Sequence, residues 1–444
     1  MQLFQMPARS EWATIVARPV MDLRAVERKV KPIIKQVKKK GDVALTKFTK
    51  KYDGIKITQF EVTSEEIAQA EATISQELRN AIEVAHRNIY SFHLRQIERF
   101  EPVETMPGVL CWRRSVPIER VGLYIPGGTA PLFSTVLMLA TPATIAGCKQ
   151  IVMTTPPGRD GKINPTILYA AQVAGVHKIY KVGGAQAIAA LAVGTETIPK
   201  VDKIFGPGNQ FVTAAKQMVA RRGVAIDIPA GPSEVAIYAD HTANPAFVAA
   251  DLLSQAEHGI DSHVFLVTTY EPLIQAVVEE IRQQIGVLPR RALAAASLTH
   301  SKCVLVASEE EAIDLLNEYA AEHLILAVED PGRVAEKIVN AGSVFLGHYT
   351  PEAAGDYASG TNHTLPTNGY ARAFSGVSVD SFVKKITYQQ ISQEGLRRLG
   401  PVVEVMAEAE YLHAHKQAIS IRLQHLEKQQ FESINSNSSN NGLP

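Results

Sequence analysis

Two Ala-Glu-His triplets, Ala256-Glu257-His258 and Ala321-Glu322-His323, hold the residues best suited to chemistry in this chain of 444 residues. Each closes a helical pattern just before a β-type run. Gln255 and His258 are three apart, so a helix presents them on one face, the usual geometry for two ligands of one metal. A histidine at a helix end also complements the dipole with no ligand role at all. The stretch from Gly355 to His363, with Asp356 inside it, is too rich in small and polar residues to be core. It reads as a structured loop of the kind that carries functional groups. Glu408, Glu410, His413 and His415 crowd a late helical stretch, for which a solvated surface helix is the plain alternative. Gln, His, Asp and His together make an oxygen/nitrogen set compatible with zinc, glutamine being the weak member. No HExxH, GxSxG or Ser-His-Asp grouping offers a hydrolase site.

Glycine-rich turns follow β-type runs three times: Gly183-Gly184 after Val182, Gly206-Pro207-Gly208-Asn209 after Phe205, and Gly231-Pro232-Ser233 after Pro229-Ala230. A glycine turn that opens a helix lets backbone N–H groups and the helix dipole meet a phosphate. None matches G-x-G-x-x-G, and a tight βα turn explains each singly. Three on one sheet edge point to an anionic ligand there.

The elements behind these residues alternate. Short runs at Ile151–Thr155, Lys178–Val182, Val201–Phe205 and Val224–Ile228 are interleaved with helical patterns at Pro165–Val176, Ala185–Val193 and Gln210–Ala220. This spacing predicts βαβ units and a parallel sheet. A second α/β section follows Pro245, with runs near Val264–Thr268, Cys303–Ala307, Leu324–Val328 and Ser343–Leu346. Asn244 caps the helix before the first triplet, with Pro245 at its first position, and Ser308 and Glu311 form a capping box before the second. Arg24 to Lys51 carries eleven Lys/Arg on the outer face of an amphipathic helix. Glu61 to Gln96 reads as further helix, capped at Thr63 or Ser64. The text from Ser381 onward is helical and charged.

Bulk composition excludes several classes. Lys+Arg and Asp+Glu both total 45, so net charge makes no case for nucleic acid or membrane. No charged residue lies between Arg120 and Lys149, but four glycines and three prolines there suit a buried turn and core helix, not a lipid-facing span. Cys111, Cys148 and Cys303 lie far apart, which fits a reducing compartment. Met1 to Ser10 lacks the pattern of a secretory signal, so a cytoplasmic protein is expected.

The chain resembles the histidinol dehydrogenase family. The stretches that carry the resemblance include Pro117 to Tyr124 with Pro126-Gly127-Gly128, Lys181 to Gln186, Gly206 to Gln210, Leu253 to Gly259 and Ala321 to Leu324. Gly355 to His363, Gly376 to Asp380, Met406 to Glu410 and Ala414-His415-Lys416 complete it, in family order, from about Val30 to Leu426. The resemblance implies a cytoplasmic homodimeric oxidoreductase that takes L-histidinol through L-histidinal to L-histidine and reduces two NAD. It implies one Zn2+ per subunit, held by Gln255, His258, Asp356 and, from the partner subunit, His415. Ser233, His363 and Glu410 match substrate contacts beside the zinc ligands and His323. Tyr124, Gln186 and Asn209 match NAD contacts, and Glu322 and His323 match the acid/base pair. Two other readings remain at this point: a paralogous zinc/NAD dehydrogenase of another polar alcohol, and a catalytically silent zinc-binding assembly protein.

The expected architecture is α/β, with two Rossmann-like parallel-sheet domains, one inserted in the other. An N-terminal helical segment spans 1–25. A metal and substrate domain spans 26–116 and 233–376, and an NAD-associated domain spans 117–232. A helical dimerisation arm covers 377–428. The Ser/Asn-rich segment 429–444 is expected to be a disordered tail.

Overall fold

The computed structural model describes residues 1–18, 23–127, 130–228 and 231–439. Gly128 of the Pro126-Gly127-Gly128 stretch, Pro229 and Ala230 before the third glycine turn, and the tail's 440–444 lie outside the described residues. The chain forms two compact units, one of Met1–Ile97 with Pro117–Phe382 and one of Glu98–Val116 with Val383–Pro444.

The first unit holds two parallel sheets. One orders its strands Lys178–Lys181, Gln150–Thr155, Arg120–Tyr124, Lys203–Phe205, Ala225–Ile226. The other runs Gln2–Gln5, Lys302–Leu305, His263–Thr268, Glu234–Ala239, His323–Ala327, Ser343–Leu346. Numbered along the chain, and with Gln2–Gln5 set aside, both follow the order 3-2-1-4-5, the first five strands of the doubly wound 3-2-1-4-5-6 arrangement.

Alternation along each strand feeds a core on either face. In the five-stranded sheet Val152, Tyr180 and Ile204 face the helices Leu23–Tyr52, Gly184–Val193 and Gln210–Ala220. Met153, Ile179 and Phe205 face the layer of Ser64–Thr73, Gln76–Leu94, Phe133–Ala146 and Pro165–Val173. In the six-stranded sheet Val235, Ile237 and Ala239 meet Pro245–Ala256, Glu271–Ile285 and Arg291–Leu298, whereas Ala236 and Tyr238 meet Arg9–Ile15 and Glu309–Tyr319.

This packing divides the chain differently from the expected boundaries. Residues 26–97 cover both faces of the five-stranded sheet, rather than joining 233–376. Apolar periodicity shows which face of Leu23–Tyr52 is buried, but not against which sheet. The N-terminal segment is not wholly helical, since Gln2–Gln5 adds a parallel edge strand beside Lys302–Leu305. The uncharged stretch is the strand Arg120–Tyr124 and a helix, Phe133–Ala146, buried continuously from Ser134 to Ala143. Thr63 caps its helix in a reciprocal box with Glu66. At Ser308 only half of the expected box forms, because the Glu311 carboxylate accepts from Ala307 N–H instead.

In the second unit Val103–Met106 pairs antiparallel with Val109–Pro117, and Val383–Ile391 completes a three-stranded sheet. The expected helical arm therefore begins with a strand. Only Val383, Lys385 and Tyr388 of its residues are even half-buried, a weak signal next to two long helices. Those helices, Gln393–Ala409 and His413–Ser439, pack closely where Gly400 meets Leu423 and Ile419. The last one continues through Ser439, so 429–439 is helical and not the expected unstructured tail. Its Gln, Glu and Ser prolong a helix already nucleated upstream, a cooperative gain invisible to composition.

Candidate active site

The second triplet enters its strand through a forced turn. The helix Glu309–Tyr319 ends at Ala320, a non-glycine residue in the left-handed region at φ +52, and Glu322 and His323 follow at once, both buried. The peptide groups of one residue hold both side chains. Glu234 N–H donates to Glu322 Oε2 (2.8 Å), and Glu234 C=O accepts from His323 Nδ1 (3.1 Å). A carbonyl only accepts, so Nδ1 carries a proton, and Nε2 has a lone pair only while the imidazole is neutral. That Nε2 lies 3.4 Å from Asp356 Oδ1.

Opposite stands the first triplet. The helix Pro245–Ala256, capped by Asn244, packs against the short helix Glu352–Tyr357. Gln255 is fully buried, and neither of its amide atoms has a hydrogen-bond partner among the described residues. His258 follows within one turn and senses the charges of Asp356, His323 and His363. The His363 ring is pinned at both nitrogens, Nδ1 to Asp356 O (2.8 Å) and Nε2 to Thr135 Oγ1 (3.1 Å). Thr135 starts the buried helix that follows the first strand of the five-stranded sheet, so this histidine bridges the two sheets' layers.

Burial sets the charges. It pushes Glu322 up to about 8 and raises Glu352 as well. Burial also lowers His258 and His363. It opposes a charge on His323, yet Glu352, Glu322 and Asp356 together outweigh it and lift the imidazole to about 10. Asp356 is likewise penalised by burial, but the three surrounding histidines hold it below its ordinary value.

The donor set fits a cation. Gln255 Oε1, Asp356 Oδ1, His323 Nε2 and Glu352 Oε2 are all buried without a hydrogen bond among the described residues, Asp356 Oδ1 and His323 Nε2 meeting only at 3.4 Å, an arrangement that is costly unless something satisfies them. Donor atoms of His323, Glu352 and Asp356 lie within 4.8 Å of one another. Glu352, fully buried with Oε1 3.7 Å from His323 Nδ1, escaped the sequence reading. Its spacing of four from Asp356 on one helix was the signal available. Glu234 and Thr135 also went unseen, because backbone anchoring and cross-layer contacts leave no motif.

The remaining expected residues divide. Ser233 directly precedes the strand that carries Glu234, and its carbonyl accepts from His263 N–H. Glu410 closes the helix Gln393–Ala409 and His415 opens the next, both exposed in the second unit. Beside them His413 Nδ1 stands 3.8 Å from Glu408. Tyr124, Gln186 and Asn209 all lie at the carboxyl edge of the five-stranded sheet, where a 3-2-1-4-5 sheet receives its ligand. Tyr124 is buried, with its hydroxyl accepting from Gly184 N–H (3.1 Å), and burial pushes it up to about 12. Asn209 caps the helix Gln210–Ala220 through Oδ1, accepting from Phe211 and Val212. Gly206, at φ +125, could carry no side chain, since a Cβ would come 2.0 Å from Tyr124 O.

The model of the histidinol dehydrogenase family matches residues 16–423. The chain belongs to the histidinol dehydrogenase family. Histidinol dehydrogenase of Bacteroides thetaiotaomicron is 58% identical over 423 residues, covering 95% of this chain and 99% of that one. The chloroplastic histidinol dehydrogenase of Arabidopsis thaliana is 50% identical, over 95% and 91%. The crystal structure of histidinol dehydrogenase from Elizabethkingia anophelis superposes with a TM-score of 0.94 at 54% identity, covering 96% of this chain and 99% of that one. Membership of this family disfavours both alternative readings of the sequence. Among the described residues no helix is long and apolar enough to cross a membrane.

Proposed function

We propose that this protein oxidises L-histidinol through L-histidinal to L-histidine in the cytoplasm, with two NAD reduced per turnover and zinc positioning the substrate. The observation that carries the mechanism is the anchoring of His323: Nδ1–H is committed to Glu234 C=O, which leaves Nε2, 3.4 Å from Asp356 Oδ1, as the nitrogen free to exchange a proton with substrate. Gln255, His258 and Asp356 would hold zinc, with His415 of the partner subunit, in a homodimer whose sites are shared. Bound there, the metal would fix the substrate's amine and imidazole and, as a cation, offset the carboxylates that otherwise keep His323 protonated. NAD, when bound along the edge of Tyr124, Gln186 and Asn209, is the hydride acceptor.

The chain's own groups do the rest. His323 Nε2 takes the hydroxyl proton as the alcohol is oxidised. The aldehyde must be hydrated before the second oxidation, and Glu322, raised by burial to about 8, is the base that activates the water. Ser233, His363 and Glu410 complete the substrate's polar contacts. The test follows NADH absorbance with L-histidinol before and after chelation, with circular dichroism as a control. Turnover should vanish on chelation while the fold persists, since cores of this size do not need a metal to form. Full activity in a zinc-free preparation would refute the metal's role.

His323, Glu352 and Asp356 offer a second donor set in the same pocket. Zinc analysis of His258→Ala distinguishes the two sets: metal content falls if the family's set holds the ion and persists if the second set does.

A further inference from the structure

Glu322 and His323 are both tied to Glu234, and Glu234 is tied in turn to Arg18. We propose that Arg18, which follows the first helix of the chain, is a positioning residue for this pair; the inference rests on the roles proposed above for Glu322 and His323.

The Arg18 guanidinium grips the Glu234 carboxylate at two points, Nε to Oε1 (2.6 Å) and Nη2 to Oε2 (2.8 Å). Both side chains are almost wholly buried, 9% and 3% exposed. Nη2 also donates to Tyr319 O (2.8 Å), and the guanidinium lies over the Tyr319 ring, 3.8 Å from its centroid. Glu234 Oε1 accepts a further bond from Asn368 N–H (3.0 Å).

Each of these anchors is one step from the site. Glu234 holds Glu322 through its N–H and His323 through its C=O. Tyr319 is the last residue of the helix that leads into the pair, and the strained Ala320 comes directly after it. Asn368 lies just downstream of His363. The Arg18–Glu234 pair thus ties together the N-terminal segment, the strand of Glu234, the approach to Glu322-His323 and the chain beyond His363.

A purely stabilising role explains this poorly. Buried ion pairs are often no more stabilising than well-packed apolar residues of the same volume. A bidentate guanidinium, by contrast, fixes direction, which a lysine cannot do. Direction is what a base needs, because a misplacement on the order of 1 Å can lower a rate by about a hundredfold.

The test uses full-length protein with zinc, NAD and either histidinol or histidinal. Arg18→Met should lower kcat on both substrates by about tenfold or more, with KM within about twofold of wild type. The double variant Arg18→Met/Glu234→Gln leaves no unpaired charge and can still accept from Asn368. It should regain melting temperature but not kcat. Recovery of kcat along with melting temperature would reduce Arg18 to a structural ion pair and overturn the proposal, as would near-wild-type kcat in Arg18→Met. Should Arg18→Met fail to fold, the double variant carries the same comparison.

A second readout needs no turnover. In 15N-histidine-labelled protein, the His323 Nδ1–H held by Glu234 should exchange at least about tenfold faster in either variant, because its acceptor has lost its anchor. Unchanged exchange would sink the proposal. Failure of the wild type to oxidise histidinol would instead sink the functional reading, leaving the exchange measurement valid.

Discussion

Replacing Lys216 with methionine tests what holds the cofactor edge. Lys216 lies on the inner face of Gln210–Ala220 and is paired with Asp227, the two side chains only 5% and 2% exposed. Together they clamp the two peptide groups that flank Gly206 in the glycine turn. Lys216 Nζ donates to Gly206 O (2.8 Å), and Gly206 N–H donates to Asp227 Oδ2 (2.7 Å). Methionine keeps the stem's volume but leaves a buried carboxylate without its cation, which costs about 3–5 kcal/mol. The lost bond to Gly206 is part of that figure and is not added. At about 1 °C per kcal/mol for a chain of this length, the melting temperature should fall by roughly 3–5 °C. Lys216→Met/Asp227→Asn removes the orphaned charge, keeps an acceptor for Gly206 N–H and should recover most of the loss. Thermal unfolding of the three proteins, with the KM for NAD alongside, makes the comparison. Because Gly206 leads into Asn209, that KM should rise in the single variant. A Lys216→Met protein melting within about 1 °C of wild type, or a double variant no better than the single, would refute the reasoning.

Glu322→Gln should impair oxidation of histidinal more than that of histidinol, and His323→Asn should slow both, by about a hundredfold or more for a lost general base. Equal losses on the two substrates with Glu322→Gln would contradict the assignment. Refolding His323→Asn together with His415→Ala should return roughly a quarter of wild-type activity, because a shared-site heterodimer keeps one intact site. No recovery would place His415 in its own chain's site. His263 is buried, and burial, with nearby Lys302, Arg18 and His300, lowers it to about 3. The unfolded chain therefore takes up the proton first, below about 6.5, and stability falls as pH drops from there towards 3. Urea unfolding should show a loss of about 2 kcal/mol between pH 7 and pH 5 that His263→Phe abolishes; an equal loss in both proteins would rule the group out.

Local order was legible in the sequence because it is decided locally. The Thr63 cap, the buried helix Phe133–Ala146 and the placement of both Ala-Glu-His triplets at helix ends rest on short-range hydrogen bonding and on 3.6-residue periodicity. The helix stops at Ala256, however, so His258 lies in the turn beyond it and not on the helix face expected beside Gln255. Two of the three glycine turns were equally plain, whereas the third, at Gly231, leads into the strand Glu234–Ala239 of the other sheet and opens no helix; at Gly206 the structure adds a packing reason, the approach of Tyr124 O.

What the chain could not announce depends on partners distant in sequence. Periodicity marks the inner face of Leu23–Tyr52, but only assembly shows that it covers the five-stranded sheet. Gln2–Gln5 is an ordinary apolar-polar stretch until Lys302–Leu305 offers it an edge. The residue types of a catalytic pair are written at 322 and 323, and so is the strand they enter. The proton's place on Nδ1 is not, because it depends on a carbonyl 89 residues away in sequence. Arg18 stands further still from the pair, 216 residues from Glu234. A sequence specifies which groups are present and their local conformation; it takes the folded chain to remove the water, and only then do a carbonyl, a carboxylate and a guanidinium decide which nitrogen can act as a base.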